Sequence, residues 1–466
     1  MAGVRTLATD TLWTELSAID PQVGKRRLRV ALSGGLDSTV LLEGLCRLRE
    51  KLPPDGLRAV HVHHGLHPDA DAWARHCEAL CARLDVPLEV LEADARPAPG
   101  ESPEAKARAV RYAALATALL PGEALLTAHH ADDQLETVLI QLLRGGGVAG
   151  LAAMPAVATF GPGLHLRPLL AFTRADLADW AAREGLSGWL RDPANEELRY
   201  ARNHLRSEVL PAVRTHWPGA AAAVARSARH CAEAAGLLEE LAALDAVTGV
   251  AGTAIRIPAL RSLSPARRRN LVRWQARRLG LAVPDESRLT TLLEQVLEAA
   301  PDARPQVEWG EVVALRHDEL LWLAPASSLP LPAKDIDWPD PRAPLVLGAG
   351  LGHLALVPSE WGGLGEAALA AGPWRVVPRR GGERLALPGR PGHRALKKLL
   401  QQQGMPPWIR ARLPLVEIGG RLAAAGGLWV DTAFWAPPGE PAWRLEWTGS
   451  ALPGHETFIV GERGFC

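Results

Sequence analysis

The sequence predicts an α/β chain in which a parallel sheet covered by helices on both sides is followed by a helical domain and a small α+β C-terminal domain. Three observations predict this. Short apolar runs alternate with helical patterns over residues 28–143, the spacing of strand–helix–strand units. After Pro211 the alternation stops, and Ala-, Leu- and Arg-rich stretches take over. A Pro-rich joint, SLPLPAKDIDWPDPRAP at 328–344, then leads into a tail rich in Gly, Pro and Trp. At 466 residues the chain exceeds one ordinary core, and the expected boundaries are 1–215, 216–332 and 345–466.

In chain order, residues 28–33 read as a buried strand and Asp37–Leu48 as a helix. LRAVHVHH at 57–64 is a second strand, DAWARHCEALCARLD at 71–85 a helix, and PLEVLEA at 87–93 a third strand. A helix over 103–120, the strand ALLTAHH at 124–130 and a helix over 132–143 complete the alternation. Residues 219–245 and 264–300 read as mostly helical, and the tail as short strands with one helix near 393–403. Parallel sheets bind ligands beyond the carboxyl ends of their strands. ALSGGLDS, HVHHGLH and TAHHADD all fall there.

Composition narrows the function classes. The 44 Gly and 38 Pro are dispersed, without a fibrous period. Five cysteines, odd in number and scattered, make no disulfide framework. Cys77 and Cys81 are four apart, the spacing of one helix face and not of a C-x-x-C redox pair. No run is long and apolar enough to span a bilayer, and the first ten residues carry Arg5 and Asp10 in place of a secretory leader's apolar core, so the expectation is a cytoplasmic protein with no membrane partner.

Lys+Arg and Asp+Glu are equal at 52 each, yet the charge is unevenly placed. From Arg202 to Arg278 thirteen Arg face five acids, and from Ala371 to Arg412 eight Arg and two Lys face one Glu. Such patches attract phosphate backbones even at zero net charge, although solvated helix faces carry the same residues.

Ser33-Gly34-Gly35, between a strand and a helix, offers backbone N–H groups and hydroxyls at a helix N-terminus, where phosphate is the natural guest. Neither the Walker lysine nor G-x-G-x-x-G is present. Asp37 would be repelled by a polyphosphate without a divalent cation between them, so it reads as a magnesium ligand or a cation-positioning group. In TAHHADDQLET the carboxylates of Asp132, Asp133 and Glu136 can share one helix face. Their convergence calls for magnesium, an ammonium group or both. His61 and His63 share a strand face and read as a cleft wall, since zinc would need three or four converging ligands. Glu104, Arg108 and Arg111 fall on roughly one helix face, where an arginine can steady a transferring phosphoryl group.

SGGLDS at 33–38 resembles the signature of the PP-loop ATP pyrophosphatases, Rossmann-like enzymes that split ATP between its α and β phosphates. With HVHHGLHPDADAW, AKARAVRYAAL, TAHHADDQLETVLIQLLRGGGVAGLAAM, LRPLL, DPANEELRYARNHLRSEVLP and GHRALKKLLQQQGMPPWIRARLPLV, the chain resembles the tRNA(Ile)-lysidine synthase family over nearly its whole length. That resemblance implies ATP and Mg2+ as cofactors, and a CAU-anticodon tRNA(Ile) and free L-lysine as partners; a homodimer is left open. It implies adenylation of the wobble cytidine's C2 oxygen, then attack by the lysine amine.

The resemblance also implies roles. Ser33, Gly34, Gly35, Asp37 and Ser38 would cradle pyrophosphate, with Ala31 and Leu32 near the adenosine. His63 and His129 would border the nucleotide, Arg111 would steady the adenylate, and Asp132, Asp133 and Glu136 would receive lysine. Arg202, Asn203 and Arg206 close the catalytic domain on the tRNA side, while Arg268 and Lys397 stand for tRNA contacts in the later domains. The chain departs from the family at Ala194, where Ser or Thr is frequent. The nearest rival, a tRNA thiolation enzyme of the same superfamily, needs sulfur-carrying cysteines, normally a C-x-x-C pair; a non-catalytic tRNA-binding protein would not need Asp37, Asp133 and Glu136.

Overall fold

A computed structural model describes residues 6–455 except 64, 66–67, 95, 97–102, 191–200, 301–302, 304, 330–333 and 349, and of 103–105 only the backbone. The chain divides into two units, Met1–Leu237 and Leu238–Cys466.

The first unit is built on a six-stranded sheet. Its elements run α1 (Thr9–Ile19), β1 (Leu28–Ala31), α2 (Leu36–Cys46), β2 (Leu57–His63), α3 (Ala70–Arg83), β3 (Leu88–Glu92), α4 (Pro103–Ala118) and β4 (Ala124–Leu126). Next come α5 (Ala131–Leu143), α6 (Val148–Leu151), β5 (Val157–Phe160), β6 (Gly163–Leu166), α7 (Arg174–Arg183), α8 (Ala201–His204) and α9 (Leu210–His216). The strand order is β3-β2-β1-β4-β6-β5. Every neighbouring pair is parallel except the β5–β6 hairpin. The chain winds outward from β1 through β2 to β3, then returns to place β4 on the other side of β1. The order reverses between β1 and β4, so a crevice opens beyond their carboxyl ends.

Alternation along the strands sorts the core. Ala124 and Leu126 of β4 face one side with Val30, Leu41, Leu45, Leu16 and Trp180, while Leu125 faces the other with Val60, Val62, Leu115 and Leu119. The parallel α/β reading of the N-terminal region therefore holds. β4 is shorter than the stretch 124–130 suggests. The ladder continues only to the Thr127 N–H on the Leu166 carbonyl, and the chain then leaves the sheet, with His130 extended at φ −126° before α5. Residues 128–130 thus lie past the end of the sheet, at the edge of the crevice.

Cys77 and Cys81 lie buried on the inner face of α3, where burial pushes their thiols up to about 12 and about 11. They are core residues with no thiolate character at neutral pH.

The long α10 (Ala220–Gly249) runs from the first unit into the second. The helices read over 219–245 and 264–300 are present as α10, α12 (Pro265–Arg278) and α13 (Glu286–Glu298), with a short α11 (Ile257–Ser262) between α10 and α12 that lies outside those ranges. They pack through Ile257, Leu260, Leu271, Leu289 and Leu292 on a five-stranded antiparallel sheet that the helical reading did not anticipate. Its strands are β7 (Val250–Ala251), β8 (Ala254–Arg256), β9 (Gln306–Trp309), β10 (Val312–His317) and β11 (Leu320–Pro325). Residues 336–448 form two further five-stranded antiparallel sheets and a two-stranded ribbon around Trp338, Trp374, Trp408 and Trp447. The helix expected near 393–403 is Leu396–Gln402.

Gly163 opens β6 against β4, and a Cβ there would lie 2.2 Å from the Glu123 carbonyl oxygen. Gly163→Ala is expected to destabilise the first unit by about 1–3 kcal/mol. Gly236→Ala, inside α10 with nothing within 4 Å, should raise stability slightly. Urea unfolding of the two variants reads the contrast.

Candidate active site

The crevice begins with the loop between β1 and α2. Gly34 takes φ +78°, and a Cβ there would stand 2.7 Å from the Leu190 side chain and 3.2 Å from Cys77 Sγ. Leu190 closes over the loop by donating its N–H to the Gly34 carbonyl at 2.8 Å. Only glycine fits both demands without strain. Ser38 Oγ is tied inward, accepting from the Ser33 N–H at 3.2 Å and meeting Ser33 Oγ at 3.0 Å. Gly35 sits at the N-cap of α2, so the first N–H groups of that helix face the crevice without intrahelical partners. Ala31 ends β1; the Leu32 side chain is buried in the core, and its carbonyl accepts from the buried His61 ring at 2.9 Å. Thr39, in the first turn of α2, is buried at 3% exposure.

Across the crevice, His130 at the start of α5 is surrounded by carboxylates. Its ring nitrogens lie 3.5 Å from Asp132, 3.4 Å from Asp133 and 3.7 Å from Asp37. Burial would favour the neutral ring, but Asp132, Asp37 and Asp133 outweigh it and hold the imidazolium up to about 10. One cation thus compensates acids from both motifs.

The three acids have different further partners. Asp132 accepts from the Arg174 backbone N–H at the start of α7 and from the Arg214 guanidinium, both at 2.7 Å. Against the opposing effect of burial, His130, the Arg174 N–H and Arg214 hold its carboxyl well below the usual range. Asp133 accepts the His130 N–H at 3.0 Å. Asp37 has the Arg174 guanidinium at 3.8 Å, yet its buried Oδ1 has no hydrogen-bond partner. Among the described residues no group of three or more His, Cys, Asp or Glu could hold a metal by itself. Asp37 could supply one oxygen to a cation whose other ligands are phosphate and water, the usual arrangement for magnesium.

One turn further along α5, Glu136 is 1% exposed and gripped by both donors of Arg206, at 2.8 and 2.9 Å. Arg206 also reaches Asp133 at 3.4 Å. Arg202 adds a contact to Glu136 at 3.5 Å and donates to Thr137 at 3.0 Å. Burial and the neighbouring Asp133 push the Glu136 carboxyl up against the opposing pull of the two arginines. Asp133 and Glu136 therefore form one acidic pocket whose present occupant is a guanidinium.

His129 approaches from the end of β4. Burial, then Arg167, Arg108, His165 and Arg111, hold its ring well below the ordinary value, so it is neutral. Burial likewise lowers Arg111 against the pull of Tyr112, and Arg108 and Arg202 add smaller effects in the same downward direction. Guanidinium groups so crowded make an anion site. His63 hydrogen-bonds Asp71 at 2.9 Å. Asn203 is buried in α8.

The remaining sequence-selected residues lie in the second unit. Arg268 donates to the Leu260 and Arg261 carbonyls at 2.8 and 2.7 Å, finishing α11. Lys397 is exposed on the helix at 396–402. The segment RDPANEELRY at 191–200, with Ala194, lies outside the described residues, as does the Glu104 side chain. Sequence reasoning missed Arg174, Arg214, Thr127, His165 and Arg167. The only signal for the last two was LHLRPLL, a strand followed by an arginine at the sheet's carboxyl edge.

Residues 9–213 match the PP-loop domain family, 256–322 the TilS substrate binding domain and 374–447 the TilS substrate C-terminal domain. The chain is 44% identical over 429 residues to the tRNA(Ile)-lysidine synthase of Methylococcus capsulatus, covering 90% of this chain and 96% of that one. It is 43% identical over 442 residues to the enzyme of that name from Alkalilimnicola ehrlichii, covering 94% and 97%. The Pseudomonas putida enzyme is 42% identical over 408 residues, covering 86% and 92%.

Removing one member of a buried pair leaves the other charge uncompensated. Arg206→Met should destabilise the first unit by about 1–3 kcal/mol, and adding Glu136→Gln should recover part of the loss. Additive effects in a double-mutant cycle of denaturation midpoints would refute the coupling.

Proposed function

Since the chain belongs to the tRNA(Ile)-lysidine synthase family, we propose that it adenylates the C2 oxygen of the wobble cytidine in a CAU-anticodon tRNA(Ile) with ATP, releasing pyrophosphate, and then joins free L-lysine at C2, releasing AMP. The observation that carries this reading is the meeting of two unlike sites at one switch point. The glycine loop before α2 suits a polyphosphate, and the Asp133–Glu136 pocket beside it suits an ammonium group.

The loop's backbone N–H groups and the Ser33 hydroxyl receive pyrophosphate, with Gly34, Gly35 and Ser38 shaping the cradle. The orphaned Asp37 Oδ1 supports a bound Mg2+ there, which would neutralise charge on the polyphosphate. Arg111 steadies the phosphoryl group from α4. Lysine enters the pocket by displacing Arg206 from Glu136, exchanging one cation for another. The attacking amine is neutral, so it loses its proton before attack, and a nearby carboxylate can accept that proton only while unpaired. Asp132, already held by Arg214, Arg174 and His130, keeps α5, α7 and α9 together around the pocket.

Exposed Lys397 and Lys398 are suited to phosphate contacts with the tRNA body. Arg268 can join them only through donors that Leu260 and Arg261 do not hold. Among the described residues no helix is long and apolar enough to cross a membrane, and a tRNA substrate fits a cytoplasmic enzyme. Buried Cys77 and Cys81 speak against the thiolation rival.

The test combines purified protein, ATP, magnesium, labelled lysine and unmodified CAU-anticodon tRNA(Ile). Lysine incorporation is expected; binding of the tRNA without incorporation would overturn the reading. Within that assay, Asp37→Asn should suppress pyrophosphate release, whereas Glu136→Gln should mainly raise the KM for lysine. Equal loss of adenylation in both variants would refute the division of labour.

A further inference from the structure

Four side chains behind the crevice form a hydrogen-bonded line with a direction. Arg167 donates to His165 Nδ1 at 2.9 Å, and arginine has no acceptor. His165 Nδ1 is therefore an acceptor, which leaves the ring's proton on Nε2. That nitrogen lies 2.8 Å from Thr127 Oγ, to which it donates. Thr127 Oγ has a second partner, His129 Nδ1, at 2.7 Å. Among the described residues Thr127 Oγ has no third partner, so a hydroxyl that accepts from His165 satisfies its own proton only by donating it to His129 Nδ1. His129 then carries its proton on Nε2.

Both rings are held neutral, which agrees with these directions. Burial, then Arg167 and Arg108, bring His165 down to about 3. The charged and titratable groups acting on His129 are Arg167 and His165 from β6 and the turn after it, and Arg108 and Arg111 from α4. None is a carboxylate that would draw a second proton onto the ring. The far end of the line is anchored as well, since Arg167 also donates to the Pro155 carbonyl at 2.7 Å. Among the described residues His129 Nε2 has no hydrogen-bond partner, and the half-buried ring leaves that nitrogen for a ligand.

We propose that Arg167, His165 and Thr127 are positioning residues that lock His129 as an Nε2–H donor toward a phosphoryl oxygen of the nucleotide bound in the crevice. The proposal rests on the adenylating function proposed above. It adds how one side chain is kept in a single tautomer at a corner otherwise built of guanidinium groups. A histidine free to exchange tautomers would present a lone pair to the anion part of the time, and a wrong tautomer with intact geometry is costly in other histidine-dependent sites.

Long-range 15N–1H correlation on the full ligand-free chain, with 15N-labelled histidine, reads the tautomers directly. The expected result is Nε2–H for both His129 and His165; an Nδ1–H tautomer at His129 overturns the proposal. Adding ATP and magnesium should shift the His129 Nε2 resonance, and an unmoved resonance at saturating ATP overturns the donor role. Thr127→Val should lower kcat for pyrophosphate release about tenfold or more with the KM for ATP changed less than about twofold, and Thr127→Ser should restore it. A Thr127→Val chain with normal kcat overturns the positioning role. The tautomer is read without substrate, so it stands or falls apart from lysine incorporation.

Discussion

The first unit depends on a buried imidazolium. Asp37 comes from the loop after β1, whereas Asp132 and Asp133 come from the start of α5, and without a cation between them they would repel one another in a site shielded from water. His130 supplies that cation from within. Because Asp132 also holds the α7 N-terminus and Arg214 of α9, the ring ties together segments that are distant in the chain. The switch point of the sheet decides where a crevice lies; His130 decides that its two walls carry compatible charge.

That arrangement separates acids that look alike in sequence. Asp132, Asp133 and Glu136 are close on one helix, yet Asp132 is fully engaged with the scaffold while Asp133 and Glu136 share a guanidinium. A pocket held closed by an internal cation stays compensated when empty. On the proposed function an incoming lysine ammonium would replace an existing charge instead of joining an unpaired carboxylate, at a lower desolvation cost than in a bare acidic pocket. Arg108 and Arg202 both act on Arg111, although Arg202 also contacts Glu136, and an anion would relieve their repulsion.

Much of this was legible in the sequence, and the reasons are physical. Parallel strands covered on both faces read as apolar runs, and the loops after β1 and β4 carry their chemistry in short contiguous motifs. The second unit was harder. β10 is buried along its whole length, with Arg316 and His317 inside it, so it shows neither alternation nor a clean apolar run. Arg316 survives there by donating to the Val296 and Ala299 carbonyls at the end of α13, a long-range contact that no local pattern encodes.

Arginine is where sequence and structure diverge most, because its meaning lies in its partner. The α12 tract reads as a phosphate footprint, but Arg267 pairs with Asp245, Arg273 with Glu286, and Arg268 with two carbonyls. These guanidinium groups are at least partly committed within the protein, which lowers the number of counterions a bound tRNA could release there. Lysines 397 and 398, by contrast, remain exposed. Counting charges along a chain measures the potential available to a phosphate backbone only after internal pairing is subtracted. In the first unit the same subtraction runs the other way, since Arg206 is engaged with the very pocket whose proposed ligand is a cation.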